Sequence, residues 1–329
     1  MDRINTILEL LYGNSSRWLS GEEISRNLGI SRTAVWKYIN TLRESGYNIE
    51  SSSRHGHRLI SRGDNFSEFE ITRNLKTEIF GRREIHIFNE TDSSNIQALR
   101  IASEGAAEGS IVIAERQIAG KGRLGRKWES PSGKNLYLSI IIRPQIPTLS
   151  APRLTLVTAV ALSETLDSIG VPGHRIKWPN DILFNEKKLS GILTEMKGDC
   201  DSIDFIVIGL GININSSAED YPDEIKDSVI SLKDITGNST DRIEFLNSFL
   251  FHFEKNYSEF LLGLFPGILD RWITKSSIIN QRIKITNHND IFTGIVNDIT
   301  PDGNLIVQTD NGICQINSGD INYLKDGAW

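Results

Sequence analysis

The sequence predicts a multidomain α+β chain with three parts in series. These are a helical head closed by a hairpin, a central α/β body built on a mixed sheet, and a tail of short strands. Three observations predict it. The chain has 329 residues, which at ~100–200 residues per domain means two or three domains. Charge is unevenly spread: residues 1–63 hold nine Lys/Arg and six Asp/Glu, giving +3, so the remainder holds 36 − 9 = 27 basic and 42 − 6 = 36 acidic residues, giving −9. The hydrophobic period also changes, from helical spacing in the head to short alternating runs between turn residues in the tail. The expected boundaries are 1–63, 68–275 and 278–326.

With 39% hydrophobic and 24% charged residues, the chain can build real cores, which excludes a disordered or collagen-like protein. No apolar run approaches the ~20 residues of a membrane span; Leu138–Ile142, for example, is stopped by Arg143 and Pro144. The start reads as a folded helix and not as a signal peptide. Cys200 and Cys314 stand far apart in no ligand-like spacing. A disulfide framework and a cysteine zinc site are therefore not expected, and a reducing cytoplasm is.

In the head, Ile4, Ile7, Leu8 and Leu11 recur at helical spacing and Gly13 closes the segment. Ser20-Gly-Glu-Glu23 reads as a capping box, with the Ser20 hydroxyl accepting from a free amide and Glu23 reaching back. That helix runs on Ile24 and Leu28 to Gly29. Ser31 caps a third helix whose apolar face is Ala34, Val35, Tyr38, Ile39 and Leu42. Two short helices about a tight glycine turn are the helix-turn-helix plan. The opposite face of the third helix offers Arg32, Thr33, Trp36, Lys37 and Asn40, suited to phosphates and base edges in a major groove. Trp36 either meets a thymine methyl or packs on the rest of the protein. A hairpin about Ser53-Arg-His-Gly56 carries Arg54 and Arg58, as a wing against the DNA backbone would. Arg62-Gly-Asp-Asn65 is a linker by composition.

In the body, the strand Ile85–Phe88 leads to Glu90-Thr-Asp-Ser-Ser-Asn95 and then an apolar helix. Small hydroxyls and an amide at that junction could orient a polar ligand or simply cap the helix. The strand Ile111–Ala114 leads into a loop in which Gly120, Gly122 and Gly125 formally satisfy G-x-G-x-x-G. A dinucleotide site is excluded, because that motif must open a helix and Trp128-Glu-Ser-Pro-Ser-Gly133 breaks one. Residues 114–134 carry six basic and two acidic side chains, a +4 loop within an acidic body. Glycines interleaved with Lys121, Arg123 and Arg126 suit wrapping an anion.

The strand Asn135–Ile142 and the helix Ala151–Ile169 follow. Arg175-Ile-Lys-Trp-Pro-Asn-Asp181 groups Lys177, Asn180 and Asp181, a set that can hold a phosphate and its Mg²⁺. A hairpin at 185–191 carries Lys187 and Lys188, either of which could aim into the same cleft. The strand Phe205–Asn213 ends in close-approach glycines, and Phe245–Phe260 reads as an amphipathic helix. No nucleophile–base pair, carboxylate pair or histidine cluster points to hydrolysis. In the tail, strong turns at Asn287-His-Asn, Thr300-Pro-Asp-Gly-Asn304 and Asp310-Asn-Gly312 separate strands of a small barrel or sandwich.

In this order of pieces the chain resembles the bacterial bifunctional biotin–protein ligases and biotin operon repressors. The resemblance rests on Ser-Arg-Thr-Ala34, Asp-Ser-Ser-Asn95, Gln-Ile-Ala-Gly-Lys-Gly-Arg-Leu-Gly-Arg-Lys-Trp128, Lys-Trp-Pro-Asn-Asp181, Lys-Leu-Ser-Gly-Ile-Leu193 and Gly-Leu-Gly-Ile-Asn213. Two positions depart from the family pattern: Lys121 stands where the loop usually has arginine, and Ser94 where the turn often has threonine. Lysine keeps the charge but not the bidentate fork.

The resemblance implies a winged head, a class II synthetase-like body and an SH3-like barrel. It implies that biotin and ATP form biotinyl-5′-AMP, whose acyl group passes to a lysine of a carboxylase biotin carrier domain. By carry-over, Ser93, Ser94, Asn95, Gln117, Lys121, Gly122, Arg123 and Lys188 hold biotin or its activated carbonyl. Arg123, Arg126, Lys177 and Asp181 with Mg²⁺ serve the phosphates, and Arg123, Lys188 and Lys177 carry the catalytic charge. Trp128 and Asn213 line the nucleotide side. Ser31, Arg32, Thr33, Trp36 and Lys37 face operator DNA, and the adenylate acts as co-repressor by favouring a homodimer. A lipoate–protein ligase and a ligand-sensing repressor without ligase activity are the competing readings. A DNA-binding head is unexpected in the first, and the intact loop argues against the second.

Overall fold

The computed structural model describes residues 3–199, 201–287 and 290–324. Cys200 and residues 325 and 326 of the expected tail domain lie outside the described residues. The chain forms two compact units, Met1–Glu70 and Ile71–Trp329.

The first unit opens with α1 (Arg3–Gly13), α2 (Gly21–Leu28) and α3 (Arg32–Glu44), then the hairpin β1 (Asn48–Ser52) and β2 (Gly56–Ser61). Ile7, Leu8, Leu11, Ile24, Val35, Ile39 and Leu42 meet in one buried cluster with Leu19, Ile49 and Leu59 of the hairpin side. The helical periodicity thus becomes a core, with each helix contributing one face. Ser20 caps α2 by accepting from the Glu23 amide at 3.0 Å. Glu23 does not reach back as the box predicts; it pairs with Arg17 at 2.7 Å, the better partner for a carboxylate. Gly29 ends α2 in the left-handed region at φ 64°, and Ser31 caps α3 through the Ala34 amide. A short helix, α4 (Glu68–Arg73), spans the division between the units.

The second unit is built on a seven-stranded mixed sheet. Its strands are β3 (Ile85–Phe88), β4 (Ile111–Ala114), β5 (Leu136–Ile142), β6 (Arg175–Lys177), β7 (Asp181–Phe184), β8 (Lys187–Gly198) and β9 (Ile203–Ile212), in the order β3-β4-β5-β9-β8-β7-β6. Only β3 and β4 are parallel. The strands β4 and β5 are buried throughout, which explains why they read as continuous apolar runs with little alternation. Helix α5 (Ser94–Ser103) packs on β4, β5 and β9, burying Ala98, Ile101 and Ala102 against Val112, Ile141 and Val207. Helix α6 (Arg153–Ser168) packs on β8 and on α8 (Arg242–Leu261) and α9 (Phe265–Ser276); α7 (Leu232–Thr236) is a single capped turn.

The tail strands are β10 (Arg282–Asn287), β11 (Asp290–Ile299), β12 (Leu305–Thr309), β13 (Gly312–Ile316) and β14 (Asp320–Tyr323). They form an antiparallel five-stranded sheet, ordered β13-β12-β11-β10-β14. No helix among the described residues is long and apolar enough to cross a membrane.

Candidate functional site

One cleft opens on the central sheet, about 730 Å³ including its open mouth. Its floor is β8 and β9 at Gly191–Leu193 and Gly209–Gly211, and its walls are the start of α5, the glycine-rich loop and Asp320 of β14. Ser93, Ser94, Asn95, Gln117, Lys121, Gly122, Arg123, Arg126, Trp128, Asp181 and Lys188 all line it. Segments nearly a hundred residues apart in sequence thereby converge on one space.

The polar turn before α5 does more than cap a helix. Ser93 occupies the cap position yet its side chain makes no capping bond. Instead, the Asp92 carboxylate accepts from the Ser93 amide and the Gln97 side chain. Ser94 and Asn95 are buried and turned into the sheet. The Ser139 hydroxyl reaches Asn95 Oδ1 at 2.6 Å and Ser94 Oγ at 2.8 Å, while Asn95 Nδ2 donates to Glu195 at 2.8 Å. Gln117 accepts from the Ser94 amide and donates to Ser130. A buried network satisfied at each link fixes orientation, as a small polar ligand requires. Ser139 was not anticipated, although one serine inside the apolar run of β5 is a signal that could have found it.

The floor is shaped by absence of side chains. A Cβ on Gly209 would lie 2.1 Å from Asn95 Oδ1, and one on Gly211 would lie 2.5 Å from the Trp128 ring. The indole of Trp128 therefore lies directly on the sheet, with Lys188 Nζ 5.4 Å from its centroid. The glycine-rich loop closes on itself: the Gly122 amide donates to Arg126 at 2.7 Å and the Trp128 amide to Gly120 at 2.8 Å. Its tip, Leu124 and Gly125, is left-handed at φ 55° and 72°.

Charge is gathered on one side of the cleft. Arg123 donates to Asn180 Oδ1 at 3.2 Å and lies 4.0 Å from Asp320. Burial pulls its pKa below the ordinary arginine value, opposed by Asp320 and Asp181. Arg126 pairs with Asp320, and Lys188 pairs with Asp181 at 2.9 Å. Lys188 is the lysine of the hairpin that faces the cleft, and Lys187 faces solvent, as the two-residue period of a strand demands. Lys177 lies just outside the cleft, in an adjoining depression with Arg126, Asn180, Asp181 and Asp320. Its ammonium is held below the usual lysine range, chiefly by burial.

Asp320 was missed by sequence reasoning; it sits in a short turn-flanked strand and acquires meaning only from what it touches. Asp181 Oδ1 and Asp320 Oδ2 are buried and accept no hydrogen bond, each meeting only its cationic partner. Asp181 and Asp320 both line the adjoining depression and are the carboxylates that would hold a Mg²⁺ ion there, in place of their present cationic partners. Asn213 is buried just behind the cleft residue Lys188, donating to the Lys188 and Ile230 carbonyls and accepting from the Tyr221 hydroxyl. Its amide fastens β9 to the chain around it, and it is not among the residues lining the cleft.

In the first unit, Ser31, Arg32, Thr33, Trp36 and Lys37 are all exposed along one side of α3, and Trp36 is 59% exposed. Arg54 is exposed at the hairpin tip. Arg58 is otherwise occupied: it pairs with Glu50 at 2.8 Å and lies over the Trp18 ring.

Comparison with known proteins agrees with this layout. Residues 88–213 match the Biotin/lipoate A/B protein ligase family, residues 3–58 an HTH domain, and residues 278–322 the Biotin protein ligase C terminal domain. The chain is 39% identical to the bifunctional ligase/repressor BirA of Bacillus subtilis, over 96% of this chain and 97% of that protein. It is 33% identical to its counterpart in Escherichia coli, over 92% of each. The biotin protein ligase of Aquifex aeolicus, solved in complex with biotin and ATP, is 31% identical with a TM-score of 0.64, over 74% of this chain and 99% of that one. With its head, cleft and tail all matched, the chain belongs to the family of bifunctional biotin–protein ligases and repressors.

Proposed function

We propose that the chain is an ATP-dependent biotin–protein ligase that also represses transcription in response to biotin. The observation that carries this reading is the cleft itself, where a rigid polar network for a small ligand adjoins a cluster of fixed cations.

The chemistry follows from that layout. A carboxylate oxygen of biotin attacks the α-phosphorus of ATP, the bond to pyrophosphate breaks, and biotinyl-5′-AMP forms. Both reactants are anions, so their approach needs fixed positive charge that costs no reorganisation. Arg123, Lys188 and Lys177 supply it, with Arg126 and Lys121 at the loop. Ser93, Ser94, Asn95 and Gln117 orient the ring system of biotin, and Trp128 lines the nucleotide side. Asp181, with Asp320 beside it, would hold Mg²⁺, which when bound neutralises triphosphate charge. In the second step a lysine Nζ of the carboxylase carrier domain attacks the acyl carbon, AMP leaves, and the amine proton passes to solvent. No protein nucleophile is required, in keeping with the lack of a nucleophile–base pair in the sequence.

A second cleft meets the first at Arg123, Asn180, Ile192 and Leu193, and no lysine lines it.

The exposed face of α3 takes operator DNA. One head of charge +3 makes few phosphate contacts, so a single copy binds weakly at cellular salt. Two heads in a homodimer read two half-sites and gain by effective concentration. We place the adenylate as the ligand that favours this dimer, and the cytoplasm as the compartment holding both partners. Sedimentation with and without biotinyl-5′-AMP, alongside DNA binding at matched salt, tests the switch. Equal dimerisation in both states contradicts it.

The ligase reading is tested by incubating the chain with biotin, ATP, Mg²⁺ and a carboxylase carrier domain. One biotin on one carrier lysine is expected. Adenylate without transfer would leave a ligand-sensing repressor, and activity with lipoate in place of biotin would point to a lipoate–protein ligase.

A further inference from the structure

The segment after the hairpin has the composition of a linker, yet the first compact unit runs through it to Glu70. The reason lies in one side chain. The Glu70 carboxylate is 3% exposed. Its Oε1 accepts from the Tyr12 hydroxyl at 2.8 Å and from the Tyr47 hydroxyl at 2.8 Å, and Arg62 Nη1 lies 3.8 Å from Oε2. Tyr12 lies in the last turn of α1, Tyr47 follows α3, and Arg62 follows the hairpin, so three separate parts of the head converge on one carboxylate. Burial and the adjacent carboxylate both push the Tyr47 phenol up, which keeps it a donor.

The segment is fastened elsewhere too. Phe69 stacks on Tyr12 with ring centroids 6.2 Å apart, Phe66 is buried, and Ser67 accepts from the Glu70 amide. A Cβ on Gly63 would lie 2.8 Å from the Gly46 carbonyl oxygen, so the chain runs tight against the turn after α3. A buried charge contributes less to stability than apolar packing of the same volume, but it specifies which groups must meet. Glu70 does so at the helix through which the chain leaves the head.

We propose that Glu70 is a positioning residue for DNA recognition, clamping α4 to the head through Tyr12 and Tyr47 so that operator binding, and not biotin ligation, depends on it. This rests on the DNA-binding reading of α3. It goes beyond that reading by assigning a role to a residue remote from the DNA face. The clamp ties the last segment of the head to the end of α1 and to the turn after α3, so the recognition helix keeps one attitude to the rest of the head.

The test uses the full chain with three variants: Glu70→Ala, Glu70→Gln and the double variant Tyr12→Phe with Tyr47→Phe. The DNA is a duplex selected from random sequence with the wild-type chain in biotin, ATP and Mg²⁺. Hydrogen exchange is followed at residues 62–73 and within α3. Glu70→Ala and the double tyrosine variant should lose roughly tenfold or more in affinity for the duplex, about what losing two charge-assisted hydrogen bonds allows. Both should lose protection at 62–73 while α3 stays protected and adenylate formation stays unchanged. Glu70→Gln keeps an acceptor for both hydroxyls and should recover most of the binding. Three results would overturn the proposal: α3 losing protection together with 62–73, which makes Glu70 merely structural; duplex binding unchanged in Glu70→Ala; or protection of 62–73 unchanged in it. If selection yields no duplex, the DNA reading fails, and hydrogen exchange still decides whether the clamp exists.

Discussion

Two regions of the cleft are rich in glycine, and they use it differently. At the tip of the loop 120–125 a Cβ on Gly125 would meet nothing, and one on Gly122 would come no closer than 3.4 Å to the Arg126 carbonyl; at its base, one on Gly120 would lie 2.5 Å from the Trp128 carbonyl oxygen. On the floor, a Cβ on Gly209 or Gly211 would drive into Asn95 or Trp128. Gly122 and Gly125 at the loop tip let the backbone turn, and Gly120 at its base lets the Trp128 backbone close on it; the floor glycines let other side chains lie flat on the sheet. The loop carries the conspicuous motif, but the floor sets the shape of the site.

That difference can be broken or sharpened by experiment. The largest effect is expected from Gly211→Ala. The added methyl displaces the Trp128 indole, and a shift of about 1 Å at a site of this kind costs roughly 10²-fold in rate. Adenylate formation measured by pyrophosphate release should fall by that order while the melting temperature changes little. A rate within twofold of wild type would show that the indole does not need the floor.

Next comes Arg123→Ala. It removes a charge-assisted bond to a bound anion worth roughly 1.5–3 kcal/mol, so release of biotinyl-5′-AMP should quicken by about ten- to a hundredfold. Unchanged release would take Arg123 off the ligand.

A smaller effect concerns Lys177. Its pKa is lowered in the free protein, and bound phosphates raise it again. Binding of ATP at alkaline pH should therefore take up a proton, and ATP affinity should decline as pH rises, beginning below the ordinary lysine range. Calorimetry in buffers of different ionisation enthalpy reads the proton directly. The effect should vanish in Lys177→Met.

The smallest effect is expected from Gly125→Ala. Its φ of 72° costs an alanine about 1 kcal/mol, but there is open space for the methyl. Adenylate formation should change by only a few-fold. A loss as large as that of Gly211→Ala would erase the contrast between loop and floor.

The head was legible in the sequence because its logic is local: Ser20, Gly29 and Ser31 mark helix ends within a few residues of the apolar periods they bound. The loop and the Lys177–Asp181 turn were legible for the same reason. What the sequence hid is what long-range contact creates. Asp320 becomes a cleft residue only when β14 is laid against the loop, and Ser139 only when β5 is laid beneath α5. Asn213 shows the converse. As a polar tip after close-approach glycines it suggested a ligand, but the residue past the strand end turned inward to satisfy two carbonyls. Glu23 and Arg58 show the same limit, since the nearest oppositely charged side chain claimed each of them. The Glu70 clamp was invisible because its partners, Tyr12 and Tyr47, lie far off in sequence, and the expected boundary at 68 assigns Glu70 to the body.

The most direct test of the central claim, that this cleft joins biotin to AMP, is native mass spectrometry of the chain after incubation with biotin, ATP and Mg²⁺. A complex retaining one biotinyl-5′-AMP per chain, lost when biotin or ATP is left out, is the predicted result. A chain that binds biotin and ATP together but never yields the adenylate would contradict the account.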